Sequence, residues 1–141
     1  MIMAIILIVV LTTIMAFMLS LTQKTTKQTT NIYLKEQAIL LAKSATELAL
    51  LKISGYDRNA TGVTTCLGTI NAVYPSIAAP IFNVNVTMHY IGLNCTNGYN
   101  YIPNIHTADS NGSVLIDTTV TSAANVSTDP IRYTRRTLQK L

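Results

Sequence analysis

The 141-residue sequence predicts an α+β fold in which one long N-terminal helix, hydrophobic in its first half, packs on a small antiparallel β-sheet. Three observations carry that expectation. No charged residue and no histidine occurs in 1–23, no proline interrupts 1–54, and after Gly55 the polar–apolar period changes from helical to strand-like. The chain accordingly divides into a hydrophobic helix (1–23), an amphipathic continuation (24–54) and a head that carries the sheet (55–141).

The first segment is long enough to cross a membrane. At 1.5 Å per residue, its length matches a hydrocarbon layer of about 30 Å. Its hydroxyl residues, Thr12, Thr13, Ser20 and Thr22, can bond back to helix carbonyls. A cleaved secretory signal would need a basic flank, a short apolar run and a small-residue cleavage site. Leu19-Ser20-Leu21-Thr22-Gln23 offers no such site, so the segment is expected to stay in the protein. Every Lys, Arg, Asp and Glu lies from Lys24 onward, and the net charge of +4 belongs wholly to the polar remainder. A soluble globular enzyme does not partition its hydropathy in this way.

From Gln23 to Thr30 the helix passes through Thr, Lys and Gln, and β-branched Thr makes this its weakest stretch. Asn31 can cap a renewed helix over 31–54. Two apolar stripes follow: Ile32, Ile39, Ala42, Ala49 and Ile53 on one side, Leu34, Ala38, Leu41, Ala45 and Leu48 on another. A helix that covers a sheet needs one stripe, so two imply a second packing partner. Gly55 supplies the stop.

In the head, Tyr56 to Pro80 reads as loop, and Phe82 to Tyr90 alternates as a strand. Asn94 to Ser110 is turn-rich. Gly112 to Ser122, with Val114, Ile116, Thr118 and Val120 on one face, reads as a second strand. Asp129-Pro130 marks a turn before a third over Ile131 to Lys140.

Cys66 and Cys95 have no histidine or third cysteine beside them, which makes a poor metal site and a reasonable disulfide. The alternative is two buried free thiols. A bridge closing a loop of about 30 residues would stabilise the fold by roughly 3–4 kcal/mol and would place the head outside the cytosol. Five Asn-X-Ser/Thr signals agree with that compartment. Those at Asn59 and Asn111 also carry an acid two residues earlier, which resembles the extended bacterial acceptor, and make these two the candidate N-glycosylation sites. The positive-inside rule would instead hold Lys24 and Lys27 in the cytoplasm. The conflict resolves if a basic leader precedes Met1 and is removed.

This outline resembles the type IV pilins and the pseudopilins of type II secretion. The resemblance covers the whole chain by architecture, with its sharpest evidence in the first 54 residues and the cysteine pair. It implies cleavage by prepilin peptidase ahead of Met1, N-methylation of Met1, residence in the bacterial inner membrane, and delivery by pilus assembly machinery into an extracellular homo-oligomeric filament. Ile2, Ile5, Ile6, Ile8, Val9, Leu11, Ile14, Phe17 and Leu21 would then pack the filament core. Most family members carry a Glu at the fifth mature position, where this chain has Ile5, and minor subunits at filament tips often lack that acid. Cys66 and Cys95 also stand away from the family's usual C-terminal bridge.

The chemistry of catalysis is missing from the pattern. His89 and His106 have no acids or cysteines placed to complete a metal set, and no phosphate-binding glycine loop or nucleophile motif occurs. The expectation is no enzyme and no cofactor. Arg132, Arg136 and Lys140 share one face of the last strand, either as a basic surface for nucleic acid or, preferably, as charges that protect a sheet edge. Three functions remain: a structural filament subunit, a minor or priming subunit or secretion pseudopilin, and a membrane-anchored adhesin-like binding module.

Overall fold

A computed structural model of the chain describes residues 2–56, 66–93, 95, 99–102, 112–127 and 129–141. Helix α1 (Ile2–Ser54) is followed by β1 (Thr69–Pro75), β2 (Pro80–Ile91), β3 (Asn100–Ile102), β4 (Ser113–Ser122) and β5 (Arg132–Lys140). The fold is the expected α+β arrangement of one long helix and a largely antiparallel sheet. By its internal contacts the chain forms two compact units, Met1–Leu34 and Lys35–Leu141.

The first unit is helix alone. Its threonine-rich stretch, expected as the weakest part of one long helix, is α-helix without a break. The hydroxyls explain how. Thr25 donates to the Leu21 carbonyl, Thr26 to Thr22, Thr29 to Thr25 and Thr30 to Thr26, each at 2.9–3.0 Å. Each side chain returns to the backbone one turn earlier, so these polar groups stay satisfied without breaking the helix.

In the second unit the strands run β1-β2-β4-β5, each neighbouring pair antiparallel. β3 pairs with β2 in parallel, beside Tyr90 and Ile91. Strands β2, β4 and β5 fall where alternation placed them. β1 lies in a stretch expected to be loop, and β3 in one expected to be turns. Each was hidden for its own reason: β1 buries a single side chain, Ile70, so it lacks the polar–apolar alternation of a half-buried strand, and β3 is three residues long.

The core lies between the sheet and residues 35–54 of α1. Phe82, Val84, Val86, Met88 and Tyr90 of β2 and Val114, Ile116 and Val120 of β4 are buried on the helix-facing side. The helix meets them with Ala38, Ala42, Thr46, Ala49 and Ile53, spaced four, four, three and four apart. This single face replaces the two expected stripes: it takes Ala42, Ala49 and Ile53 from one and Ala38 from the other. Ile32 and Leu48 are left exposed. The helix presents mainly small alanines to the sheet, and in the middle of the contact Thr46 Oγ1 lies 3.1 Å from Thr118 Oγ1. Thr46 also donates to the Ala42 carbonyl at 2.8 Å. A buried hydroxyl pair of this kind is satisfied in one register of helix on sheet.

Candidate assembly surfaces

The residues expected to pack a filament core are bare in the single chain. Ile2, Ile5, Ile6, Ile8, Val9, Leu11, Ile14, Phe17 and Leu21 are each exposed, Phe17 to 66%. Leu7, Val10, Met15, Met18 and Leu19 between them are exposed too, so the apolar surface runs round the whole helix rather than along one stripe. Helix 2–23 is long and apolar enough to cross a membrane. Thr12 and Thr13 donate to the carbonyls of Val9 and Val10 at 2.9 and 2.8 Å, which removes their unpaired donors from that surface.

In the second unit the side of α1 turned away from the core also keeps large apolar groups in solvent, including Leu40 and Leu51. Leu40 and Leu41 line a groove of about 290 Å³ with Tyr74 and Phe82. A second, of about 600 Å³, lies between Leu50, Leu51, Ile53 and Tyr56 and the C-terminal Lys140 and Leu141. Both are open and mostly apolar.

Cys66 and Cys95 form a disulfide with Cα atoms 5.4 Å apart. Its position explains its use. Residue 66 leads into β1, whose entry is fixed where the Met88 amide donates to the Gly68 carbonyl at 2.8 Å. Residue 95 precedes Tyr99, whose carbonyl accepts from the Tyr90 amide at 2.9 Å. The bridge therefore ties together the two segments that line up along the same edge of β2. Tyr90 completes the cluster by donating its hydroxyl to the Leu67 carbonyl at 2.9 Å. A Cβ at Gly68 would overlap the Tyr99 ring, which is why the smallest residue stands there.

The outer face of the sheet is polar. Asn85 Nδ2 donates to Asn71 Oδ1 at 2.6 Å, and the Thr87 hydroxyl donates to Asn85 Oδ1 at 3.2 Å. Asn85 belongs to one of the simple glycosylation signals, but its amide is committed to Asn71 in the middle of a paired strand. The favoured sites Asn59 and Asn111, together with Met1 and His106, lie outside the described residues. Arg132, Arg136 and Lys140 do share the outer face of β5, and all three are exposed. They are not equivalent. Arg136 grips Asp117 with two hydrogen bonds, Nε to Oδ1 at 2.6 Å and Nη2 to Oδ2 at 2.8 Å. That hydrogen-bonded cation holds the Asp117 carboxyl below its ordinary range; partial burial opposes the shift, and the charge of Arg136 and the nearby His89 add to it. With Arg136 engaged, Arg132 and Lys140 stand eight residues apart at opposite ends of the strand, about 26 Å by strand rise.

Among the described residues no three His, Cys, Asp or Glu side chains converge as a metal set. The described residues include an apolar helix, two largely apolar grooves and a polar sheet face. Comparison with family models, with curated proteins and with solved structures finds no match.

Proposed function

We propose that the chain is a structural subunit of an extracellular type IV pilus-like filament, held in the bacterial inner membrane before assembly and built into the filament by bundling of its N-terminal helices. The observation that carries this reading is the helix of residues 2–23, apolar and exposed on every side. Such a surface needs lipid or other helices around it, since apolar area costs about 25 cal/mol per Å² when left in water. The Cys66–Cys95 disulfide fits a head that matures outside the cytosol. Prepilin peptidase and the pilus assembly machinery are the partners this reading requires, with Met1 as the processed and methylated N-terminus. Ile5, an apolar residue where most family members carry an acid, favours a second form of the same reading: a minor or priming subunit, or a secretion pseudopilin.

The test is a charge in the middle of the rod. Ile8→Asp or Val9→Asp should abolish filaments in electron micrographs of sheared cell surfaces while circular dichroism shows the head still folded. Intact filaments from either variant count against the proposal. Peptide abundance in wild-type filaments separates the two forms, high for a major subunit and trace for a minor one.

A further inference from the structure

The two edges of the sheet are built on opposite principles. Edge strand β5 carries Arg132, Arg135, Arg136 and Lys140, the usual defence against pairing with another strand. Edge strand β1 carries no charge; indeed, no Lys, Arg, Asp or Glu occurs between Arg58 and Asp109. From Asn71 to Pro75 it is exposed on both faces, with Val73 at 37% and Tyr74 at 47%. Among the described residues no strand pairs with its outer side. The Gly68–Met88 hydrogen bond sets the phase of the β1–β2 ladder, and antiparallel alternation then points the amides of Thr69, Asn71 and Val73 away from β2. An exposed, uncharged strand with a row of outward amides is a template for another strand.

We infer that the β1 edge is an interaction surface for edge strand β5 of a second copy of this chain, so that neighbouring heads join into one continuous antiparallel sheet. Two observations choose the occupant. Charge excludes β5 against β5, because Arg132, Arg136 and Lys140 would face their own counterparts across the contact. Topology then separates the remaining pairings. Four strands alternate in direction across the sheet, so β1 and β5 run antiparallel to one another within one head. Copies that point the same way can therefore set β5 of one beside β1 of the next as an antiparallel pair, and the contact repeats without closing. Pairing β1 with β1 in antiparallel fashion would require one copy to be inverted. The inference rests on the filament reading above, which supplies the common orientation. It gives the cations of β5 a second use: they forbid the wrong edge pairing and leave the right one open.

Side-chain rows support the fit. Asn71, Asn85, Thr119 and Thr134 lie in one row across the outer face, so an unstaggered joint places Thr134 of one copy opposite Asn71 of the next. The experiment uses full-length chains in isolated filaments, with Asn71→Cys and Thr134→Cys made singly and together, and with Thr69→Cys or Val73→Cys replacing the first to allow a stagger of two residues. On oxidation, at least one double variant should give a ladder of covalent dimers, trimers and longer chains, while the single variants stay monomeric. Dimers from Asn71→Cys alone would show the inverted pairing and overturn the inference. Normal filaments with no ladder from any double variant would overturn it too, leaving the helix-bundling reading in place. Absence of filaments from the wild-type chain would remove both. Independently, Val73→Lys should lower filament yield at least about tenfold by placing an unpaired charge in the joint, with the head still folded; unchanged yield would overturn the inference.

Discussion

Residues 2–23 and 35–54 belong to one helix and share its backbone geometry, yet they meet opposite fates. The second stretch buries Ala38, Ala42 and Ala49 completely, while the first buries nothing. The buried face uses alanines, a threonine and Ile53; the exposed stretch uses Ile, Leu, Val, Met and Phe. Hydrophobicity alone would assign the core to the wrong half. Small residues are inside where the helix faces the sheet, and the large ones of 2–23 are covered by no described residue. One helix is thus covered by its own domain at one end and left exposed at the other.

Matched truncations test that division with the largest expected effect. Phe82 is fully buried in the head, whereas Phe17 is exposed in the rod. Phe82→Ala should lower head stability by about 3–5 kcal/mol, and Phe17→Ala should change it by less than about 0.5 kcal/mol. Urea unfolding of the full chain in detergent, followed by tyrosine fluorescence, measures both. Equal losses would mean that rod and head unfold as one unit and would break the comparison.

The disulfide comes next. The head has a small core, and the Cys66–Cys95 bridge ties the two segments on the outer side of β2. Cys66→Ser with Cys95→Ser should cost about 3–4 kcal/mol by releasing a closed loop of 29 residues in the unfolded chain. The loss should appear in the head's urea midpoint, while helix content contributed by residues 2–34 stays unchanged by circular dichroism.

This contrast also shows which parts of the molecule were legible in the sequence. Strands β2, β4 and β5 follow from period, because each has an inner face less exposed than its outer one, and the long helix follows from its uncharged apolar start and the lack of proline over 1–54. Val114, Ile116, Thr118 and Val120 were placed on one face by alternation, and all four are buried. The cysteine pairing followed from chemistry with little geometry needed. What stayed hidden wrote no such pattern: β1 is exposed nearly throughout, and β3 is only three residues long. The helix's true contact face was obscured because Thr46, a polar residue, stands at its centre, while exposed leucines imitate core positions. The Thr22–Thr30 stretch lies within the one long helix that was expected, and its hydroxyls bond to the preceding turn, a feature that propensity does not count. The bare edge of β1 could have been suspected from its long uncharged surroundings.

Thr46 sharpens the comparison on a smaller scale. Thr46→Val leaves the Thr118 hydroxyl in the core without its partner and should cost about 1–3 kcal/mol in the urea midpoint. The double change Thr46→Val with Thr118→Val removes both polar groups at nearly constant volume and should recover most of that loss. If the double variant is as unstable as the sum of the singles, the pair is not acting as a unit.

The smallest effect belongs to the ion pair on the polar face. Asp117 is held below its ordinary carboxylate range chiefly by the hydrogen bonds from Arg136, so the folded state gives up affinity for a proton relative to the unfolded chain. Its contribution is therefore fully present above the unfolded carboxylate value, near about 3.9, and fades as pH falls through the lower folded value. The Arg136 side chain is 71% exposed, so solvent screens the pair and its worth is at most about 1 kcal/mol. Asp117→Asn should flatten the acid side of the head's stability profile between about pH 5 and 2 and leave the profile above pH 6 nearly parallel to wild type. High salt should shrink the difference further, since an exposed pair is screened within a Debye length of about 10 Å at 0.1 M. An unchanged acid limb in low salt would mean that Arg136 releases Asp117 in solution, freeing a third cation on the face that β5 presents.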